Sequence, residues 1–364
     1  MTKKHLFFIC YLFAFSHFSI LKGDDKPLVI NVIATKNGVG RDQDVNVLIN
    51  SLLDLGHEVK FVEGKGDFCP DADVNVFIAR TNESFRSCAK KNYLVPNAEW
   101  LFIPPEELLK YDCILCKTRE AKRIFNQLND NAVFMGFTCG DRFDPNISKN
   151  YKTALHLAGA SIQKGTGFVI DAWANHPEFP FLQLTCHKEK KVYYKTKNVP
   201  ITKIPLSPNI NFIHEYLPEN ELMTIQNTCG FHICPSVTEG FGHYIVEGMS
   251  VGAVIVTTDA PPMNEFILDK RCLVRYSGTA PCYRPYRYAT GYYVDQEELE
   301  SVIENLLLLP QSELDKIGKK NRELFLKKEQ EFKSNLAHIF NRNEVFKNNP
   351  KQGIQGYKNE QLLH

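Results

Sequence analysis

Residues 236–247 read Ser236-Val-Thr-Glu-Gly-Phe-Gly-His-Tyr-Ile-Val-Glu247 and place two glutamates, with seven residues between them, around a Gly-Phe-Gly turn. The apolar run Phe231 to Cys234 before them is typical of a buried strand, and Tyr244 to Ser250 is typical of the first turns of a helix. This pattern predicts a strand, a loop and a helix in succession. Glu239 would lie on the loop and Glu247 inside the helix.

The turn has the chemistry to bind a nucleotide-linked sugar. Gly240 and Gly242 allow the backbone to approach a ligand, and the free N–H groups at the helix start favour a diphosphate. A carboxylate offers strong acceptors to adjacent hydroxyls, so we expect Glu247 to hold a ribose diol and Glu239 a hexose hydroxyl. Phe241 belongs to the same predicted donor-binding turn. The alternative is that Glu239 is a surface residue and Glu247 an ordinary helix charge.

The sequence after the helix strengthens this interpretation. Residues 252–265 read Gly-Ala-Val-Ile-Val-Thr-Thr-Asp-Ala-Pro-Pro-Met-Asn-Glu, which predicts a buried strand of branched residues and a loop with a third carboxylate. The stretch from Cys234 to Phe266 resembles the nucleotide-binding core of GT-B fold glycosyltransferases, specifically the retaining group 1 superfamily, often called family 4. The resemblance lies in Pro-Ser-x-x-Glu-Gly-Phe-Gly, the second glutamate and the Val-Ile-Val-Thr strand.

A second stretch agrees with the resemblance. Thr153 to Ala158 has strand character and leads into Gly-Ala-Ser-Ile-Gln-Lys-Gly-Thr at residues 159–166. In the resembled family this segment supplies cations to the donor diphosphate, which implies donor contacts for Gly159, Ser161 and Lys164. An arginine usually follows the glycine there, whereas this chain has Ala160 and Ser161, and a lone lysine neutralises less of a diphosphate than a Lys/Arg pair. The alternative for Lys164 is a solvated turn lysine.

The first half of the chain alternates strands with helices. Leu28 to Ala34 is a predicted strand, Val45 to Leu52 carries an apolar stripe of helical period, and Gly56 to Val62 is a predicted return strand. Further predicted strands cover residues 74–79, 101–103, 112–115 and 132–137. With the resemblance, the predicted fold class is α/β with the GT-B architecture, in which two doubly wound Rossmann-like domains face an interdomain cleft. Active residues should lie at the carboxyl ends of the strands.

The loop after the first strand, Thr35-Lys-Asn-Gly38-Val-Gly40-Arg41-Asp42, is at such a strand end. It resembles the glycine-rich loop that opens GT-B enzymes. The resemblance implies that Gly38 and Gly40 approach the donor phosphate or the acceptor, with Arg41 nearby as a cation. A plain turn is the alternative, because the loop has neither the Gly-x-Gly-x-x-Gly pattern nor a Walker lysine and hydroxyl pair.

Three other places in the chain are candidates for the acceptor side of the cleft. They are Asn97 with Glu99, Lys117 to Arg119, and Gly136 to Asp141. Asn, Thr and Lys are also what ordinary βα turns and helix caps require, which is the alternative explanation for all three. His243 is predicted to be a helix-start residue rather than a catalytic base.

The chain of 364 residues, 43% of them hydrophobic, is long enough to bury two cores. Leu299 to Leu307 is a predicted amphipathic helix that Pro310 ends, and a charged helical run follows it. The predicted organisation is an N-terminal acceptor-side Rossmann-like domain at 26–150 and a C-terminal sugar-nucleotide-binding Rossmann-like domain at 151–311. A helix that crosses back at 312–340 and a flexible tail at 341–364 complete it.

Residues 1–23 are predicted to be a targeting segment. Lys3 and Lys4 precede an apolar run from Leu6 to Leu21, which is the pattern of a secretory signal peptide. The run is shorter than the roughly 20 residues that span a bilayer, so a cleaved signal is favoured over a type II membrane anchor. We therefore expect the endoplasmic reticulum or Golgi lumen, or secretion. Membrane association through an uncleaved segment is the alternative.

Three further features bear on compartment and partners. The triplets that begin at Asn82 and Asn146 would accept glycans in the lumen, so a glycoprotein is expected. Ten of the eleven cysteines follow residue 23 and permit disulfides without specifying any, and the spacing of Cys113 and Cys116 is better explained by packing than by metal or redox chemistry. A net charge of +1 argues against a nucleic-acid partner.

The resemblance implies a retaining glycosyltransferase that moves a sugar from a nucleotide-sugar donor to a protein, lipid or glycan acceptor. It implies no obligatory metal and no other cofactor, since Lys164 and the helix start near Gly242 would stabilise the departing diphosphate. Glu239 and Lys164 are the predicted catalytic residues. The alternatives are a noncatalytic sugar-nucleotide or glycan-binding protein on the same fold and, less favoured, an epimerase or phosphorylase.

Overall fold

The protein folds around two parallel β-sheets of six strands each, one in each half of the chain. The structure, a computed structural model, describes residues 26–346 except 37, 39, 64–65, 67, 81, 160, 188–189, 195–196 and 282–287. The predicted targeting segment at 1–23 and most of the predicted tail at 341–364 lie outside these residues. None of the described helices is long and apolar enough to cross a membrane.

The first sheet and its helices form what we call the first domain. Its elements are β1 (Val29–Ile33), α1 (Gly40–Asp54), β2 (Glu58–Val62), β3 (Ala72–Ile78), β4 (Ala89–Val95), α2 (Pro105–Leu108), β5 (Cys113–Cys116), α3 (Arg119–Phe125) and β6 (Ala132–Phe134). The strand order is β2-β1-β3-β4-β5-β6, with every neighbouring pair parallel. All seven residues of β3 are buried, because a parallel sheet of this kind is covered on both faces.

One predicted strand of this sheet is wrong. Residues 101–103 are irregular and follow a 3-10 turn at Ala98–Trp100, whereas the fourth strand of the sheet is β4. Lys90 and Lys91 interrupt the apolar pattern of β4, so the sequence does not predict this strand. Their side chains extend to carboxylates beside the neighbouring strands, so the strand carries charge where an apolar run would be expected.

The second sheet and its helices form the second domain. Its elements are β7 (Asn150–Gly159), α4 (Thr166–Asn175), β8 (Phe181–Cys186), β9 (Lys191–Tyr194), β10 (Lys197–Pro200), β11 (Ile210–Ile213), α5 (Glu219–Thr228), β12 (Cys229–Cys234), α6 (His243–Ser250), β13 (Val254–Thr258), β14 (Leu273–Val274), β15 (Tyr276–Pro281), β16 (Thr290–Val294) and α7 (Gln296–Leu307). The sheet order is β11-β8-β7-β12-β13-β14, again all parallel, and β9 with β10 and β15 with β16 form antiparallel pairs. The predicted α/β class with two doubly wound sheets is confirmed.

Two C-terminal helices, α8 (Gln311–Ile339) and α9 (Arg342–Val345), run from the second domain to the first. Helix α8 packs on α6, and near its end the ring of Phe332 lies 5.3 Å from the ring of Phe137. Arg342 on α9 then reaches Asp73 on β3, at 3.1 Å. These contacts hold the two sheets against each other.

The nine cysteines of the described residues are all free thiols. Cys113 and Cys116 lie on β5, and burial raises the pKa of both thiols above the ordinary value. A thiol with a raised pKa is a poor nucleophile and a poor metal ligand. This position in the sheet supports the packing interpretation of the pair, while Cys282 lies outside the described residues.

Candidate active site

The Glu-Gly-Phe-Gly turn lies at the carboxyl edge of the second sheet, on the side that faces the first domain. Strand β12 ends at Cys234 and helix α6 begins at His243, so Glu239 is on the loop between them. Gly242 precedes the helix with φ +97°, a left-handed conformation that side chains other than glycine rarely adopt. The loop therefore enters α6 through a bend at Gly242.

Glu239 and Lys164 form an ion pair in this loop region. The Lys164 ammonium is 2.7 Å from the Glu239 carboxylate, and the two side chains are 16% and 11% exposed. Ser236 also donates to the same carboxylate oxygen. The ammonium lies 3.7 Å from the centre of the Tyr244 ring, which adds a cation–π contact. The two residues predicted to be catalytic are thus brought together from positions 75 residues apart.

Glu247 is buried on α6 and held from three directions. One carboxylate oxygen accepts a hydrogen bond from the Gln43 amide at 3.1 Å, and the other accepts one from the Gln226 amide at 2.8 Å. The Arg142 guanidinium is 3.6 Å away. Gln43 belongs to α1 of the first domain, so the carboxylate predicted to bind a ribose here bonds across the cleft. No local pattern of residues predicts these three partners, because they lie on separate elements and belong to no motif.

Gly240 is in close contact with the first domain. A Cβ atom at this position would lie 2.6 Å from both carboxylate oxygens of Glu99 and 2.9 Å from Oδ1 of Asn97. Any side chain at residue 240 would therefore collide with the turn that follows β4. Gly240 was predicted to let the backbone approach a ligand, and in the structure Asn97 and Glu99 are its nearest neighbours.

The oxygens beside Gly240 are short of partners. Oδ1 of Asn97, Oε2 of Glu99 and Oγ1 of Thr238 are buried, and no described group bonds to them. Burial raises the pKa of Glu99 to about 7, helped by the nearby charge of Glu239. A carboxyl group with this pKa keeps its proton for part of the time at neutral pH. Such perturbed, unsatisfied groups in a cleft are typical of binding sites.

A buried ion cluster joins the two domains behind the turn. The Lys117 ammonium and the Nε2 atom of His243 each lie 2.8 Å from the carboxylate of Asp44. Lys117 is 3% exposed and Asp44 2%. Burial alone would raise the pKa of Asp44, but Lys117 and His243 together lower it to about 2. The structure thus puts Lys117, an acceptor-side candidate in the sequence, into an ion pair within the first domain. His243, at the first position of α6, contacts Asp44 from the second domain.

Phe241 and Ser161 were also predicted to bind the nucleotide-sugar donor, and in the structure they support the loop without taking part in the ion pair. Phe241 is 3% exposed, and its ring packs edge-on against Phe137, so its side chain faces the core. Ser161 accepts a hydrogen bond from the amide of Gln163 at 3.1 Å and starts the turn that carries Lys164. Both residues position the loop backbone, and neither side chain is directed at the cleft by these contacts.

The predicted glycines lie on both sides of the cleft. Gly159 ends β7 with φ +56°, directly before the segment that holds Lys164. Gly40 begins α1, where a Cβ atom would lie 3.9 Å from the His243 ring, so this part of the loop does meet the motif. The amide of Gly38 donates to Asp42 within its own loop, at 3.2 Å.

The third carboxylate of the sequence, Glu265, links the domains at another point. Its two oxygens accept hydrogen bonds from the amides of Arg119 and Glu120 at 2.8 and 2.7 Å, at the start of α3. A carboxylate is favourable there because it meets the positive end of the helix dipole. An open cleft of about 280 Å³ lies close by, and Thr238, Glu239 and Gly240 line one of its walls.

Sequence comparison identifies the family. The profile described as "Glycosyl transferases group 1" matches residues 140–324, which include Lys164, Glu239 and Glu247. An uncharacterized glycosyltransferase of Methanocaldococcus jannaschii is 27% identical over 164 residues, or 43% of this chain. The chain spans 43% of the length of that relative.

Solved structures resemble the chain over most of its length. A glycosyltransferase from Rickettsia africae superposes with a TM-score of 0.63 at 12% identity, over 89% of this chain and 100% of that one. Anabaena HepE in complex with UDP-glucose gives 0.57 at 12%, over 86% and 98%. Sucrose-phosphate synthase from Thermosynechococcus elongatus gives 0.58 at 11%, over 87% and 96%. At such identities these likenesses establish the fold, which is GT-B.

Proposed function

The chain belongs to the group 1 glycosyl transferases, and from that membership we propose that it transfers a sugar from a nucleotide-sugar donor to an acceptor with retention of the anomeric configuration. Family membership supports the reaction type. The GT-B fold supports a donor bound in the cleft between the sheets, and one structure of this fold, HepE, holds UDP-glucose. Fold likeness by itself does not assign an activity, so the proposal depends on the residues of the site.

The observation that carries the proposal is the ion pair between Lys164 and Glu239 at the carboxyl edge of the second sheet. Lys164 would bind the donor diphosphate together with the first amides of α6. In the reaction the bond from the anomeric carbon to the diphosphate breaks and its electron pair leaves on the diphosphate. The acceptor oxygen bonds that carbon on the same face, and its proton leaves with the diphosphate. A fixed cation at the leaving group is what such a step needs, and we propose that no metal is required.

Glu239 would then exchange partners when the donor binds. In the structure its carboxylate is neutralised by Lys164 and bonded to Ser236. A diphosphate that draws the ammonium away would leave this carboxylate able to accept hydrogen bonds from the sugar. Glu239 and Lys164 are therefore proposed as the residues that act at the reacting centre, one on the sugar and one on the leaving group.

Glu247 is proposed to hold the ribose of the donor. Its two oxygens accept from amide groups, which are neutral donors like the hydroxyls of a ribose. Gln226 lies in the same domain, whereas Gln43 comes from the first domain and would have to leave. Donor binding on this proposal therefore requires α1 to move away from α6.

We propose a compartment on the sequence of residues 1–23 alone, with secretion or the lumen of the secretory pathway favoured over a type II anchor. The acceptor is proposed to be a protein, lipid or glycan. A glycosidase that removes N-linked glycans would shift the electrophoretic mobility of the secreted chain, and Asn82→Gln with Asn146→Gln would abolish that shift. Retention of the intact N-terminus in a cytosolic fraction would contradict the compartment.

The test of function is a panel of UDP-glucose, UDP-N-acetylglucosamine, GDP-mannose and ADP-glucose with the full chain. Thermal shift and nucleotide release are recorded together, with Glu247→Ala as the variant and Glu221→Ala, which is exposed on α5, as the matched control. We expect one donor to stabilise the protein and to release nucleotide slowly, and both effects to disappear in Glu247→Ala only. Stabilisation without release, even with acceptors added, would favour a binding protein. No stabilisation by any donor would reject the donor site.

A further inference from the structure

Two buried oxygens without partners approach Gly240 from the first domain, and a third belongs to Thr238, two residues before Gly240 in the second domain. Asn97 and Glu99 lie on the turn after β4, and Thr238 lies in the motif itself. The Glu99 carboxylate and Oδ1 of Asn97 both approach the position that a Cβ of Gly240 would occupy, at 2.6 and 2.9 Å. Asn97 and Glu99 are therefore close neighbours of Gly240 across the domain boundary. Buried polar atoms in folded proteins almost always have a partner, so three exceptions at one place call for a ligand.

An open cleft between the two domains lies next to these oxygens. Thr238, Glu239 and Gly240 line it from the second domain, and Ala98 lines it from the first. Ala98 stands between Asn97 and Glu99 in the chain, so the cleft reaches the turn that carries these two residues.

The chemistry of the three groups selects the ligand. Oxygens of an amide, a carboxyl group and a threonine all accept hydrogen bonds, so their complement is a molecule with several O–H donors. A metal cation is disfavoured, because the ammonium groups of Lys117 and Lys164 are both close, the first lowering the pKa of Glu99 and the second paired to Glu239. A neutral polyol meets these acceptors without adding charge.

We propose that Asn97 and Glu99 are specificity-determining residues that bind hydroxyl groups of the transferred sugar, opposite Thr238 and Glu239. The inference rests on the proposed nucleotide-sugar function and names first-domain residues for it. The sugar ring would lie between the two domains, with the nucleotide on the second domain alone. Since the unpaired oxygens would stay unpaired without a hydroxyl to meet them, a donor that lacks one should be rejected strongly.

The experiment compares each nucleotide sugar with its parent nucleotide. Dissociation constants are measured by calorimetry for UDP, GDP and ADP and for UDP-glucose, UDP-N-acetylglucosamine, GDP-mannose and ADP-glucose. The variants are Asn97→Ala and Glu99→Ala, with Glu99→Gln as the conservative replacement and Glu106→Gln, which is exposed on α2, as the control. Each variant is first checked for unchanged secondary structure and melting behaviour.

We expect Asn97→Ala and Glu99→Ala to weaken the best nucleotide sugar by about tenfold or more, while the parent nucleotide changes less than twofold. Glu99→Gln keeps an acceptor oxygen and should recover part of the affinity. Unchanged affinities in both alanine variants would overturn the inference and leave the proposed function intact. Equal losses for the sugar and its parent nucleotide would also overturn it. If the wild-type chain binds none of these compounds, the proposed function fails, and this inference fails with it.

Discussion

The two walls of the cleft satisfy their polar groups in different ways. On the second-domain wall, Lys164, Glu239 and Ser236 bond to one another within a single domain. On the first-domain wall, Gln43 bonds to Glu247 across the cleft, and Asp44 bonds to Lys117 in its own domain and to His243 across the cleft. The phosphate-facing half of the proposed site is therefore assembled by the second domain itself. The bonds of Gln43 to Glu247 and of Asp44 to His243 depend on how the two domains are placed.

This difference predicts which hydrogen bonds and ion pairs would break if the domains moved apart and which would remain. Opening of the cleft would break the bond of Gln43 to Glu247 and the bond of Asp44 to His243, but it would leave the pair of Lys164 and Glu239 in place. Substitutions in the ion cluster around Asp44 should accordingly affect stability, whereas substitutions at Lys164 and Glu239 should affect the chemistry.

The largest effect is expected at the interdomain ion cluster. Lys117→Met leaves Asp44 buried without its ammonium partner, and the free energy of unfolding should fall by about 3–5 kcal/mol. Urea denaturation measures this loss, and Lys122→Met, on the exposed face of α3, is the control. The double variant with Asp44→Asn should recover much of the stability, because no charge then remains unpaired. A single variant as stable as the wild type would show that this buried pair does not stabilise the fold.

The next effect concerns the second-domain wall. Lys164→Ala removes the cation from the proposed leaving group, so we expect the rate of nucleotide release to fall by about 100- to 1,000-fold. Lys203→Ala, a surface change in the same domain, should leave the rate unaltered. Nucleotide release is followed under saturating donor. A rate within threefold of the wild type would remove Lys164 from the reacting centre.

A smaller effect is expected in the pH dependence of stability. The folded pKa of Glu99 is about 7, above its ordinary value of 4.5. The folded state therefore binds more protons than the unfolded state between these values, and stability falls as the pH rises through that window and levels off above it. Glu99→Gln should flatten this decline and raise stability at pH 8, relative to the wild type, by roughly 1–3 kcal/mol. Thermal unfolding at pH 5 and pH 8 measures it, and parallel pH profiles of the two proteins would contradict the assignment.

The smallest effect tests the bond of the first domain to Glu247. Gln43→Ala removes a competitor of the proposed ribose, and one hydrogen bond is worth about 0.5–1.5 kcal/mol, so the affinity for UDP or another nucleotide should rise by roughly two- to tenfold. Asn46→Ala, exposed on the same helix, controls for changes in α1. Calorimetric titration separates the two variants. Weaker binding in Gln43→Ala would instead make this amide a ligand of the donor.

The elements next to the Glu-Gly-Phe-Gly motif were predictable from local sequence, whereas one strand of the first sheet was not. The apolar run Phe231 to Cys234 and the helix pattern Tyr244 to Ser250 match β12 and α6 within two residues at each end. Strand β4 was missed because Lys90 and Lys91 interrupt its apolar pattern while their charged ends reach solvent and neighbouring carboxylates.

The residues of the candidate site likewise include some that the sequence predicted and some that it did not. Lys164 and Glu239 were both predicted from the sequence, because each lies in a glycine-containing segment that follows a predicted strand. Gln43, Gln226 and Arg142 were not, since residues of these types are common on helix surfaces and in loops. Their contact with Glu247 depends on how the two domains pack, which no local pattern of residues encodes.

The most direct test of the central claim, a retaining transfer from a nucleotide sugar, is the anomeric configuration of the product. Wild-type protein is incubated with the donor that stabilises it, and the first sugar released, to an added acceptor or to water, is followed by proton NMR together with the free nucleotide. We expect that the donor is consumed, that nucleotide appears in equal amount, and that an α-linked donor gives the α-anomer first. Formation of the β-anomer, or binding with no consumption of the donor under any condition, would contradict it.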